Sequence, residues 1–160
     1  MILKCLRYSG ILIICLIIGL FIQGAAAQNE ESNLLTVEAS VSPRRLSSGQ
    51  EGKVILNISP LEGILINSQP SFTVQFEALD ELVFPKNFFS ATDLEIAILE
   101  EEGINYLDLS EPLEIPFTVS PEAVRGNHTL EGKVKFFAYS KKDGAIVKTS
   151  AKFEAPFYTR

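Results

Sequence analysis

The chain has 160 residues, a net charge of −6, one histidine, two cysteines and no tryptophan. The acidic balance argues against nucleic-acid binding, which depends on neutralising phosphates with Lys and Arg, and against adhesion to anionic membranes. With His128 as the sole histidine and both cysteines within the first 15 residues, a tetrahedral zinc site is close to excluded.

Lys4 and Arg7 give the chain a positive start, and Ile11 to Ile22 is an apolar run of 12 residues. Ala25 and Ala27 supply the small residues expected ahead of a signal-peptidase cut. A spanning helix needs about 20 apolar residues, so residues 1-27 read as a cleaved signal peptide. Cys15 follows Leu12-Ile13-Ile14 and lacks the small residues that precede a lipid-modified cysteine. Cleavage removes Cys5 and Cys15 and leaves 133 residues with 12 basic and 20 acidic side chains, a net charge of −8. The protein is therefore expected to be exported, periplasmic or extracellular, with no membrane span after cleavage. Disulfides persist in such compartments, so a cysteine-free mature chain must be held by its core alone.

Residues 28-33 are polar and read as a disordered tail, leaving residues 34-160 as one domain. From there apolar and polar residues alternate with a period of two. Leu35, Val37, Ala39 and Val41 run up to Ser42-Pro43; Val54, Leu56 and Ile58 run up to Ser59-Pro60; Phe72, Val74 and Phe76 follow Gln69-Pro70. Leu94, Ile96 and Ile98 come next, then Leu113, Ile115, Phe117 and Val119, with Pro116 marking an edge strand or a bulge. Val134, Phe136 and Ala138 precede a Lys141-Lys142-Asp143-Gly144 turn, and Val147, Thr149, Ala151 and Phe153 follow it. Half-buried strands with Pro and Gly punctuation predict an all-β fold, an immunoglobulin-like antiparallel β-sandwich of about seven to nine strands.

The last hairpin can be registered from its faces. A four-residue loop from Lys141 to Gly144 sets Tyr139 opposite Ile146, Ala138 opposite Val147 and Phe136 opposite Thr149. Val134, Phe136, Ala138, Val147 and Ala151 then share one face, and Lys133, Lys135, Lys148 and Lys152 the other. A two-residue Asp143-Gly144 turn gives the same faces with shifted partners. An odd loop would set lysines beneath Phe136 and Val134, because a slip of one residue exchanges the two faces of a strand.

Candidate chemistry is sparse. His128 follows Gly126-Asn127 and has neither His nor Cys partners, so it reads as a solvated turn residue. Glu100-Glu101-Glu102 before Gly103 reads as a charged hairpin tip, because the oxygen-rich spacing of a calcium loop is missing. No phosphate loop or nucleophile elbow is present. No catalytic residue, metal or cofactor is expected. Asn57-Ile58-Ser59 and Asn127-His128-Thr129 fit the glycosylation acceptor pattern, with Asn127, placed in a turn, the more accessible.

From about Lys53 to Phe157 the chain resembles the amino-terminal, disulfide-bond-corrector domain of the thiol:disulfide interchange protein DsbD. The residues that carry the resemblance are Ile58-Ser59-Pro60, Gly63 through Pro70, Phe84-Pro85 and Gly126 through Ala138. The resemblance implies an immunoglobulin-like sandwich with two active cysteines in the last hairpin. The first falls on Tyr139; the second falls on Ile146 if Gly144 is aligned, or on Ala145 with the shorter spacing. Both sulfurs are absent here, so the family's electron-shuttling activity is not carried over. The resemblance also implies a short aromatic-bearing cap loop, for which Phe88 and Phe89 stand near the matching place.

These features lead to an exported, non-catalytic protein-interaction module whose candidate partner-binding residues are Phe137, Tyr139, Ile146, Phe88 and Phe89. A second reading is an accessory component of a thiol–disulfide relay, docking a thioredoxin-like or membrane redox protein without exchanging electrons. A third is a hydrolase with strand-borne carboxylates.

Overall fold

The computed structural model describes residues 33–160. The expected signal peptide at 1-27 and the expected tail at 28-33, apart from Asn33, lie outside the described residues.

Twelve strands follow in order: β1 Leu35–Ser42, β2 Arg45–Leu46, β3 Glu51–Pro60, β4 Ile64–Ile66, β5 Thr73–Phe76, β6 Leu82–Val83, β7 Phe88–Ser90, β8 Ile98–Glu101, β9 Ile104–Leu107, β10 Leu113–Val119, β11 Gly126–Ser140 and β12 Ile146–Thr159. One sheet has the order β1-β3-β10-β6; the other runs β2-β12-β11-β5-β7, with β4 also paired to β11. The two face each other as an immunoglobulin-like sandwich, and β8-β9 forms a separate two-stranded ribbon. The first strand pairs β3, while β2 crosses over to pair β12 in parallel, the one parallel ladder among the described residues.

Alternation drives this arrangement. Along β10, Leu113, Ile115, Phe117 and Val119 are buried and Glu114, Pro116 and Thr118 exposed. Each such apolar side chain contributes about 1.5–3 kcal/mol on leaving water. Pro116 pairs Lys53 of β3, while its other side is open because β6 reaches only Thr118 and Val119. A missing N–H is tolerated there, as an edge requires.

Five phenylalanines tie the sheets together. Phe76 of one sheet stacks at 4.2 Å on Phe84, which follows β6 of the other, and meets Phe153 and Phe89 edge-on at 5.8 and 6.1 Å; Phe84 in turn lies 5.7 Å from Phe117 of β10. Gly132 lies directly opposite Phe153, whose ring fills the space a side chain would occupy.

Three expectations are corrected. The Leu94-Ile96-Ile98 run is not one strand: Leu94 and Ile96 pack on the core from a turn in which Glu95 has a φ of 53°, and strand structure starts only at Ile98. Asp93 organises that turn by accepting from the Ser90 amide at 2.9 Å and its hydroxyl at 2.8 Å, and by pairing with Lys86. His128, with Asn127, belongs to β11 rather than to a turn, and its ring is half-buried. It stacks on Phe157 at 5.3 Å, with Nε2 2.8 Å from both the Val124 carbonyl and the Thr159 hydroxyl, and Nδ1 3.5 Å from Glu81. Val147 faces the same side as Ala138 but is 47% exposed, because the core runs out at the open end of the hairpin. The charged tip is as expected: Glu102 and Gly103, at φ 52° and 82°, form the two-residue turn joining β8 to β9.

A methyl group at Gly132 would lie 2.4 Å from Phe153 Cζ and 2.9 Å from the Gln75 carbonyl oxygen. The ring is wedged among its neighbours and the carbonyl is backbone, so neither yields easily. Gly132→Ala should therefore destabilise the fold by about 1–3 kcal/mol, the usual range for overpacking, measured as a lowered midpoint in chemical denaturation.

Candidate functional site

The open end of the β11–β12 hairpin carries the richest outward surface. Its loop is the four-residue one: the Ser140 amide donates to the Ala145 carbonyl at 2.9 Å and the Gly144 amide to the Ser140 carbonyl at 2.9 Å. Gly144 has a φ of 70°, a left-handed conformation that glycine adopts without penalty. The Asp143 carboxylate caps the turn from within, accepting from the Ala145 amide at 3.2 Å. Its pKa is lowered, first by its side-chain hydrogen bond with Ser140 and then by that amide.

This loop sets the register. Tyr139 pairs Ile146 directly, and Phe137 pairs Lys148, whose ammonium stands 5.9 Å over the Phe137 ring. On the other side of β11, Leu65 of β4 lies opposite Tyr139, so Ile146, Tyr139 and Leu65 form one row across the outer face. The next row begins Lys148 and Phe137 and continues to Asn67, whose amide donates to the Phe137 carbonyl at 2.9 Å. Asn67 bridges to Tyr106 of β9, and Tyr106 pairs Leu99 of β8. Asn67 Oδ1 is buried there without a hydrogen-bond partner.

The β8–β9 ribbon is held against this end. Lys141 donates from Nζ to both Glu101 carboxylate oxygens at 2.7 Å. Its pKa is raised, first by that bond and further by the fields of Glu101, Tyr106 and Glu102. Ile146 is 59% exposed, while Tyr139 and Phe137 are half-buried by their neighbours.

Comparison with known proteins adds no functional name. No family model and no curated protein matches the sequence. Similar solved structures include the major pilin subunit BcpA of Bacillus cereus, at 12% identity and a TM-score of 0.42, covering 78% of this chain and 40% of that one. A type I cohesin–dockerin complex from Clostridium thermocellum matches at 13% identity and a TM-score of 0.40, covering 78% of this chain and 99% of that one. AggA, the major subunit of aggregative adherence fimbriae type I from Escherichia coli, matches at 11% identity and a TM-score of 0.39, covering 81% and 97%. The chain thus spans less than half the length of the pilin.

Of the residues singled out from sequence, Phe137, Tyr139 and Ile146 come together on one face. Ala145, the alternative to Ile146, lies within the turn region and outside the ladder. Phe88 and Phe89 do not join them. Phe89 is 5% exposed and packs into the core opposite Val74, so it offers nothing to a partner. Phe88 does face outward in the row of Gln75 and Lys133. From strand spacing it stands about 16 Å from Phe137. The element beside the hairpin is instead β8–β9, which supplies Tyr106 and Leu99 and was not legible as part of the site.

Two other places invite comparison. A groove of about 620 Å³ is floored by the stacked Phe76 and Phe84 and rimmed by both charge signs, including Asp80, Lys86 and Lys133. Those rings are already committed to the core. Glu131 and Glu154 oppose each other across β11–β12, but both are exposed and neither lines that groove. Among the described residues, no three His, Cys, Asp or Glu side chains are grouped to hold a metal ion, and no helix is long and apolar enough to cross a membrane.

The Asp93 turn carries a pH dependence. Its pKa is lowered to about 2 from 3.8, chiefly by the bond from Lys86 and then by those from Ser90. A depressed carboxyl contributes stability above its unfolded pKa and loses it as pH falls through the folded value. The thermal midpoint should therefore drop between about pH 4 and 2 by more in the wild type than in Asp93→Asn; identical curves would show that the turn contributes nothing.

Proposed function

We propose that this protein is an exported, non-catalytic interaction module that docks a protein partner on the outer face at the open end of the β11–β12 hairpin. The carrying observation is the row Ile146–Tyr139–Leu65 beside Phe137, Tyr106 and Leu99. It gathers aromatic and aliphatic side chains, fringed by Lys148, on the outer side of the sheet. Aromatic residues with few acidic groups at the centre characterise interface cores. Export is supported by the charged start, short apolar run and small residues of the first 27 positions.

The resemblance to the corrector domain supports a second, narrower reading, in which the partner belongs to a thiol–disulfide relay. What favours it is the pairing of Tyr139 with Ile146, onto which the resemblance sets the family's two cysteines when Gly144 is aligned. The Ser140–Ala145 bond makes Tyr139–Ile146 a non-hydrogen-bonded pair. Cα atoms in such pairs lie about 4.5 Å apart, within disulfide range.

A photo-crosslinking amino acid at position 139, in cells that make the protein, should give one discrete adduct. The same group at position 88 should give none. Absence of an adduct at 139, or equal adducts at both positions, contradicts the docking face. Against the captured partner, Tyr139→Ala should weaken binding tenfold or more, as central aromatic anchors do. Separately, the double substitution Tyr139→Cys with Ile146→Cys should oxidise to an intramolecular disulfide, scored by mass before and after reduction. Preferential closure of Tyr139→Cys with Ala145→Cys would shift the register and weaken the relay reading.

A further inference from the structure

The groove of about 620 Å³ is lined by the end of β5, the β5–β6 connection, the segment between β6 and β7, and Lys133 of β11. Its volume falls within the range of about 300–1,000 Å³ typical of small-molecule sites. The floor is rigid. Phe76 and Phe84 stack on each other, Phe153 and Phe89 abut Phe76 edge-on, and Leu82, which also lines the groove, is buried. Those core contacts fix the shape of the groove without help from a ligand.

Its rim is polar and largely unpaired. The side chains of Gln75, Glu77, Asp80, Asn87 and Lys133 make neither a hydrogen bond nor an ion pair among the described residues. Of the polar side chains lining the groove only Lys86 is engaged, with Asp93. Other lysines of the surface do find carboxylates, as Lys53 finds Glu114 and Lys141 finds Glu101.

The chemistry of these groups narrows what can sit there. A cation would meet Lys133, and an anion would meet Glu77 and Asp80. An apolar molecule would cover five polar side chains and satisfy none, and a polar group that loses water without gaining a partner is costly. A neutral molecule rich in hydroxyls meets none of these objections. Each hydroxyl both donates and accepts, so it answers the acceptor-only carboxylates, the donor-only ammonium and the amides of Gln75 and Asn87, which do both. The half-buried rings of Phe76 and Phe84 supply the apolar surface for its C–H face.

We propose that this groove binds a neutral saccharide, with Gln75, Asp80 and Asn87 holding its hydroxyls and Phe76 and Phe84 carrying its C–H face. The inference does not depend on the docking face around Tyr139, none of whose residues lines the groove.

Nuclear magnetic resonance titration of the isotope-labelled protein tests it, with neutral tetrasaccharides of glucose, mannose, xylose and N-acetylglucosamine as probes. At least one should shift the side-chain amide signals of Gln75 and Asn87 saturably, with a Kd of about 1 mM or lower. Asp80→Ala and Asn87→Ala should each weaken that binding about tenfold, as loss of a hydrogen bond in a charged or amide-lined site does. Both side chains are exposed, so unchanged thermal midpoints are expected and would show that the variants fold. Tetragalacturonate, which is acidic, and an uncharged peptide of similar size should bind at least about tenfold more weakly. The proposal is overturned if no neutral tetrasaccharide shifts those amides, or if the acidic sugar or the peptide binds as well. Affinity unchanged in both variants, or shifts centred on Phe137 and Tyr139 instead, also overturns it. Crosslinking at position 139 reports the docking face alone, so the two readings fail separately.

Discussion

The β11–β12 register is the constraint on which the rest of the molecule depends. Fourteen consecutive pairs run from Gly126–Thr159 to Tyr139–Ile146. Along them Leu130, Val134 and Phe136 point into the core while Lys133 and Lys135 point out. A slip of one residue would set Lys148 and Lys152 beneath Phe136 and Val134, on the core face. Burying an unpaired charge costs several kcal/mol, against a total stability of about 5–15 kcal/mol. The turn enforces the same choice locally, through Gly144 and the Asp143 cap. Packing and turn chemistry therefore agree, and their agreement also turns Phe137 and Tyr139 outward.

The long hairpin gives the molecule two unlike ends. At one, Thr159 and His128 converge on the Val124 carbonyl, Glu81 approaches the imidazole, and β2 covers the strand edge. In the middle, the phenylalanine cluster binds the sheets together. At the other end Val147 and Ile146 emerge, and a thin two-stranded ribbon is seated by the Asn67 bridge, the Ser68 bonds to the Asn105 carbonyl, the buried Leu107 and an exposed ion pair. Local stability follows contact density, so structure is anchored at the closed end and surface is displayed at the open one.

What the sequence disclosed follows from interaction range. The β3 and β10 strands, the edge position of Pro116 and the hairpin faces depend on neighbours two residues apart or on one turn, and all were legible. The seating of the β8–β9 ribbon beside them was not, because the bridge that holds it joins Asn67 to Tyr106. Nor was the setting of His128, which rests on Glu81 and Thr159. One error was avoidable. Phe88 and Phe89 are consecutive, and consecutive strand residues face opposite sides, so both could not have lain on one docking surface. The run Leu94-Ile96-Ile98 misled for a different reason: the Ser90–Asp93 hydrogen bonds curl its first half into a turn.

The docking face can also be judged by size. A stable protein–protein contact buries about 800 Å² on each partner and uses roughly 20–30 residues a side. The aromatic group at the hairpin end is smaller than that, so a partner seated on it must also cover neighbouring rows of the same sheet. Those rows hold Lys148, Lys135, Lys133 and Lys152, a basic band on a chain whose net charge is −6. Aromatic contacts would then supply most of the affinity, while the lysines would favour an acidic partner surface and raise its encounter rate. The band ends at Glu131 and Glu154, paired across the same ladder. A change of sign at that point would oppose an acidic partner sliding toward the closed end and so fix its position along the hairpin.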